Sequence, residues 1–341
     1  MPGDAVRRIG VLTSGGDAPG MNAALRAVVR TGCALGVEVI GIERGWHGLI
    51  HGQFRDMDAR SVSGIIYLGG TALYTARSDE FLTREGRARA AESMRQIGMD
   101  GIVAIGGDGT YRGAVALMEE HGARIIGVPG TIDNDIPGTG HTIGFDTAVN
   151  TALESIDRIR DTTEAHEKVS IVEVMGREAG FIAIEAGLAG GAEAVLIPEQ
   201  PVDFERLCQD VRRWQAIGKK SSIIVVAEGA ASGHTVARRV EEATGLTARL
   251  TVLGYIQRGG RPTARDRVLA TRFGYHATRL LCEGRSGLMV GLDEGDTVVT
   301  NPLRMVLDGR RQVQQELLDL VAVTAACAGG RGSRRATAAG A

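Results

Sequence analysis

The stretch "IGGDGTYRGA", Ile105 to Ala114, sets Gly106, Gly107 and Gly109 around a single carboxylate, Asp108, between an apolar run and a helix-like segment. Glycines let a bulky group approach the backbone closely. The lone carboxylate calls for a cation. A nucleotide phosphate with its Mg²⁺ meets both requirements, although a capped turn with no chemistry would use the same residues. An apolar run ending in a glycine-rich corner that opens a helix is also the unit of an α/β fold.

That unit recurs in both directions along the chain. Ile9–Leu12, Val37–Ile42, Gly101–Ile105, Arg124–Val128, Val169–Val174, Ala194–Ile197, Ile223–Ala227 and Leu250–Leu253 read as buried strands. Amphipathic stretches separate them: Asn22–Gly36, Gly86–Ile97, Ala148–Arg160, Phe204–Ile217 and Arg267–Cys282. The alternation predicts doubly wound α/β architecture with largely parallel sheets, and 341 residues suffice for two such domains. Ligands of these folds gather beyond the C-terminal strand ends.

Two more loops fall at such ends. "TSGGDAPGMNAALR", Thr13 to Arg26, offers backbone N–H groups at Gly15 and Gly16 ahead of a helix. "PGTIDNDIPGTGHTIGFDTA", Pro129 to Ala148, brings Asp133, Asn134 and Asp135 together; two close carboxylates suit proton abstraction from a hydroxyl plus metal or orientation duty. Arginines also stand near loop positions: Arg77, Arg177, Arg249 and Arg258. Forked donors beside phosphate loops point to a second anionic substrate. The residues therefore read as phosphoryl transfer from a nucleotide to a phosphorylated alcohol.

Bulk properties narrow the alternatives. A net charge of −2 and 4% aromatic residues argue against a nucleic-acid partner. No apolar run is long enough to cross a bilayer, and the first residues lack a signal-peptide core, so a cytoplasmic protein without a membrane partner is expected. Cys33, Cys208, Cys282 and Cys327 are far apart, which predicts reduced, buried thiols. The final stretch from Gly329 is small, basic and aperiodic and predicts a disordered tail, 329–341.

The ordered set "IGVLTSGGDAPGMNAALR", "GGDGTYRGA", "PGTIDNDI", "VEVMGREAG", "AEG" and "VLGYIQRGG" resembles the bacterial phosphofructokinase family, over nearly the whole chain. The resemblance implies two similar domains with the active site in the cleft between them: 1–143 plus about 256–306 for ATP, and 144–255 plus about 307–328 for the sugar phosphate. It implies ATP as co-substrate at Gly16, Arg77, Ser78, Gly107, Asp108, Gly109 and Thr110, with Mg²⁺ on Asp108. Asp133 is implied as the base for the 1-hydroxyl of fructose 6-phosphate, with Thr131 and Arg177 beside it. Met175, Gly176, Glu228, Arg249, Tyr255 and Arg258 are implied around the sugar phosphate, with Lys168 reaching it from another subunit of a homotetramer.

Several positions set this chain apart. Pyrophosphate users of the family carry aspartate at the position of Gly109 and lysine at that of Gly130; glycine at both leaves room for ATP. Lys168 and Tyr255 stand where many relatives have arginine and histidine. An allosteric effector site is implied at Arg26, Arg30, Arg160, Glu193 and Lys219, yet Ala59 and Ile217 replace two of its cations, so weak or altered control is expected.

Overall fold

β-branched and small residues, buried on both faces, build the sheets, and glycines set how closely helices approach them. The computed structural model describes residues 6–166 and 168–325; the basic tail from Gly329 and Cys327 lie outside them. The first half of the chain runs β1 (Arg8–Thr13), α1 (Met21–Ala34), β2 (Glu38–Ile42), α2 (Gly45–Ile50), β3 (Phe54–Met57), α3 (Arg84–Ile97), β4 (Gly101–Gly106), α4 (Asp108–His121) and β5 (Ile125–Pro129). It then crosses through α5 (Phe145–His166) to β6 (Val169–Val174), α6 (Phe181–Ala189), β7 (Ala194–Leu196), α7 (Phe204–Ala216), β8 (Ser222–Ala227), α8 (Gly233–Thr244) and β9 (Ala248–Val252). It returns through α9 (Ala264–Cys282), β10 (Leu288–Leu292) and β11 (Val298–Pro302), and crosses once more to α10 (Gln315–Ala325).

Two sheets result. The larger has the order β11-β10-β5-β4-β1-β2-β3, parallel except at its two outer pairs, and the smaller is β7-β8-β6-β9, parallel throughout. Period-two alternation divides each strand between two cores. In β4, Val103 and Ile105 face the layer of α1 and α9, while Ile102 and Ala104 face that of α3 and α4. The first of these cores runs on without a break into the smaller sheet, through Val172, Val174 and Val225 and the apolar helix α6. Helices α1 and α9 pack closely because α9 has glycine at 274: a Cβ there would lie 2.7 Å from Ala24 O.

Asp266, in the first turn of α9, accepts from Gly144 N (2.9 Å), Thr147 N (2.8 Å) and Thr147 Oγ1 (2.5 Å). It thus satisfies the free N–H groups that begin α5 and fixes the crossing between the sheets. Burial pushes its carboxyl up to about 6, which those hydrogen bonds partly offset.

Some expectations need correction. The strand expected at Leu250–Leu253 is β9, Ala248–Val252, an edge strand with Thr251 and Val252 exposed, because no strand among the described residues pairs with its outer side. Cys33 is exposed rather than buried; Cys208 is buried, Cys282 is half-buried, and all three are free thiols. No helix among the described residues is long and apolar enough to cross a membrane.

Candidate active site

The C-terminal ends of β1, β4 and β5 converge, and hydrogen bonds lock their loops to one another. Ser14 N donates to Ile105 O, Gly130 N donates to Gly106 O (both 3.0 Å), and Thr110 Oγ1 donates to Ser14 O (3.1 Å). Thr110 occupies the third position of α4 and ties the first loop to the second; the residue ahead of the helix is Gly107. With no side-chain cap there, the first N–H groups of α4 stay available to an anion.

The first loop also differs from expectation. Gly15 has φ +85°, the left-handed region that glycine favours. At Gly16 the lack of a side chain lets the Arg258 guanidinium lie against the loop: a Cβ there would fall 2.0 Å from Arg258 Nη1 and displace it. The N-terminus of α1, expected to face the anion, lies with Ala18, Pro19 and Gly20 in the interior, packed on Ile143 and Asp266. Helix α4 alone therefore presents its N-terminus to the cleft from this group of loops.

A cavity of 360 Å³ lies over these loops, lined by Gly16, Arg77, Ser78 and Gly107–Thr110 on one side and by Thr131, Asp133 and Asp135 below. A second, of 460 Å³, extends toward the smaller sheet past Met175, Glu228 and Tyr255. Gly15, Gly16, Arg77, Arg177 and Arg258 line both, so the two spaces meet at a seam of arginines. Its walls come from both sheets.

Asp133 sits at that seam. It is 3% exposed, its N–H donates to Thr131 Oγ1 (3.2 Å), and its Oδ2 lies 3.5 Å from Arg177 Nε. Its Oδ1 is buried and has no hydrogen-bond partner among the described residues. Such an orphan acceptor is costly unless a ligand completes it. Burial raises the Asp133 carboxyl above the ordinary range, against the pull of Arg177 and Arg258. Asp135 is pushed up to about 6 by burial and by Asp133, with Arg310 opposing. Asn134, with φ +54°, accepts from Thr142 N (3.0 Å) and so shapes the loop.

On the other wall, Glu228 Oε1 accepts from Arg177 N (2.9 Å) and Gly176 N (3.3 Å), and Gln257 Oε1 accepts from Met175 N (2.8 Å). These bonds hold the turn after β6, where Arg177 has φ +53°. Strained backbone held from several sides is a recurrent feature of functional turns. Asp108, the first residue of α4, has both oxygens within 3.0 Å of Arg112 Nε.

Not every expected residue joins this group. Lys168 precedes β6, whereas Met175 follows it, about 20 Å away at roughly 3.3 Å per residue. Arg249 pairs in register with Ser170 at that same far end and is exposed. Arg249 and Arg258 therefore do not converge within one chain. Among the effector positions, Lys219 Nζ lies 2.8 Å from Glu193 Oε1, and Arg160 binds the carbonyls of Gly190 and Gly191. Arg26 and Arg30 are on α1, against the larger sheet.

The phosphofructokinase profile matches residues 8–281. The chain belongs to the phosphofructokinase family. It is 57% identical over 322 residues to ATP-dependent 6-phosphofructokinase 1 of Thermus thermophilus, covering 94% of this chain and 100% of that one. It is 52% identical over 315 residues to the ATP-dependent 6-phosphofructokinase of Bacillus subtilis, covering 92% and 98%. Among solved structures, the phosphofructokinase of Saccharomyces cerevisiae superposes with a TM-score of 0.83 at 34% identity over 94% of this chain. This chain spans about half of that yeast chain, 48%.

The aromatic wall of this phosphofructokinase site escaped the motifs. Trp46 and Phe81 stack with centroids 4.6 Å apart and line the outer part of the first cavity with Leu82. Gly113 admits them, since a Cβ there would lie 2.8 Å from Phe81. Gln257, inside the motif "VLGYIQRGG", is fully buried, its Nε2 has no partner among the described residues, and it braces Met175. A tryptophan between glycine and histidine just after an apolar run, in a chain with two tryptophans, was the one available signal.

Proposed function

We infer that the chain transfers the γ-phosphoryl group of ATP to the 1-hydroxyl of fructose 6-phosphate, giving fructose 1,6-bisphosphate and ADP. The observation that carries this reading is the buried, unpartnered Oδ1 of Asp133 at the seam of two confluent cavities. One cavity is floored by phosphate-loop backbone and the other by arginines.

In this reading the triphosphate lies along Gly16 and Gly107–Thr110, and the base lies along the Trp46–Phe81 wall. Asp133 accepts the hydroxyl proton as the oxygen attacks phosphorus. Arg177 and Arg258 face the charge that develops on the transferring group. Thr131 orients Asp133, and Met175, Gly176 and Glu228 shape the sugar side. Gly109 supports ATP as donor, because open space surrounds the point where its Cβ would be.

Asp108 is the side chain that would hold Mg²⁺. Among the described residues no cluster of three or more His, Cys, Asp or Glu side chains could cage a metal. A single carboxylate at the mouth of a phosphate cavity fits an ion completed by water and phosphates. When bound, the ion would offset phosphate charge.

We assign the ATP half to 1–143 plus about 256–306, and the sugar half to 144–255 plus about 307–328. Lys168 and Arg249, at the far end of the smaller sheet, then serve a site on a neighbouring chain of a homotetramer, whereas Tyr255 lines the sugar cavity of its own chain. Arg26, Arg30, Arg160, Glu193 and Lys219 form a weakened effector site, in a cytoplasmic enzyme. The test is a coupled assay with fructose 6-phosphate and Mg²⁺, run with ATP and then with pyrophosphate. Turnover with ATP alone is expected. Turnover only with pyrophosphate would reverse the donor assignment, and none with either would remove the reading.

A further inference from the structure

The last crossing of the chain between the sheets touches the acids of the site at three points. Val306 O accepts from Arg112 Nη2 (2.7 Å), the same arginine whose Nε holds Asp108. Arg311 N donates to Asp135 O (2.9 Å), and the Arg311 guanidinium lies 4.6 Å over the Phe181 ring at the start of α6. Between them, Arg310 Nε is 3.6 Å from Asp135 Oδ2, and its Nη1 pairs with Glu178 Oε2.

Asp135 follows β5 of the larger sheet, and Glu178 follows β6 of the smaller. Glu178 is the neighbour of Arg177, whose left-handed backbone is held on its other side by Glu228. Arg310 is therefore a two-ended tie across the cleft. One end meets a nearly buried carboxylate and the other an exposed one. A guanidinium can serve two carboxylates at once through separate nitrogens, whereas an ammonium concentrates its charge at one point.

We propose that Arg310 is a positioning residue for phosphoryl transfer: it ties the Arg177–Glu178 turn of one half to Asp135 of the other, so that Arg177 meets Asp133 in register. The proposal rests on the assignment of Asp133 and Arg177 to the reacting centre. A misplacement of about 1 Å at such a centre can cost on the order of a hundredfold in rate. A purely structural ion pair would lower stability without separating turnover from binding.

The experiment compares wild type, Arg310→Gln, Arg310→Lys, Glu178→Gln and the Arg310→Gln/Glu178→Gln double variant. Each is measured for kcat, for KM of ATP and fructose 6-phosphate, and for melting temperature. Arg310→Gln is expected to lower kcat about tenfold or more while KM for ATP stays within about twofold. Glu178→Gln should act in the same direction but less. The double variant should be no slower than Arg310→Gln, because both remove one tie. Arg310→Lys should recover part of the loss. A kcat within twofold of wild type in Arg310→Gln, or multiplicative losses in the double variant, would overturn the proposal. Wild-type turnover separates the two readings: with it, an unaffected Arg310→Gln removes Arg310 alone; without it, the site assignment fails and takes this proposal with it.

Discussion

The two sides of the cleft differ in how much of each one chain supplies. On the nucleotide side, the loops after β1, β4 and β5 are cross-bonded, the aromatic wall is stacked, and the cavity is lined throughout by residues of the same half and the seam. On the sugar side, the cavity runs out past Tyr255 to open surface, and Lys168 and Arg249 stand at the far end of the smaller sheet. A parallel sheet brings its C-terminal ends to one place. Residues at the N-terminal ends of the same strands can serve only a different site. On the reading proposed above, the difference means that the phosphoryl donor is handled within one chain and the acceptor between chains.

The largest break in this picture would come from Asp133→Ser. The variant removes the unpartnered acceptor while leaving the loop bonds of Thr142 and Asn134 in place. Turnover should fall on the order of 10²–10⁴-fold, with nucleotide binding little changed, as read by steady-state kinetics and by equilibrium titration with a non-hydrolysable ATP analogue. Turnover within a few-fold of wild type would remove Asp133 as the base.

Gly109→Asp tests the donor side alone. The added Cβ meets nothing within 4 Å, so the fold is spared and only the new charge acts. KM for ATP should rise on the order of tenfold, about 1.4 kcal/mol, while KM for fructose 6-phosphate changes much less. An unchanged KM for ATP would move the nucleotide elsewhere.

Acidification separates activity from stability. Asp133 must be ionised to accept a proton, and its carboxyl is raised, so kcat/KM should begin to fall at a pH above the ordinary aspartate value of 3.8. Asp135 and Asp266, both pushed up to about 6 from 3.8, shift stability the other way. Their folded-state values exceed the unfolded one, so their contribution to stability is full below about 3.8 and is lost as pH rises to about 6. Melting temperatures of Asp135→Asn and Asp266→Asn should therefore be less sensitive than wild type to pH across that interval.

Much of the donor side was legible beforehand because phosphate loops need glycine and aspartate in sequence, and sequence motifs record neighbours along the chain. The eight expected strands all form, most of them from buried apolar runs that carry their own signal, though β9 forms at an exposed edge. The hairpin β10–β11 was missed: β11, "VVTNP", is short, half-exposed and closes on a proline, as edge strands do. Helix α6, "FIAIEAGLA", is apolar apart from Glu185 and shows almost no helical period. Arg310 acts through contacts far away in the chain, which no local pattern encodes.

The smallest expected effect is on the shared side. Lys168→Arg offers a fork in place of a point charge and should lower KM for fructose 6-phosphate severalfold, with KM for ATP unchanged. An equal fall in both constants would show that the side chain acts on the fold rather than on the sugar phosphate.

The most direct test of the division between the two sides is complementation. Asp133→Ser and Arg249→Glu chains, each inactive or nearly so alone, are unfolded together in equal amounts, refolded and assayed. If Arg249 of one chain serves Asp133 of another, random assembly leaves roughly a quarter of the sites intact, and that fraction of wild-type turnover should return. Mixed assemblies no more active than either variant alone would place both residues in the same site of the same chain and contradict the account.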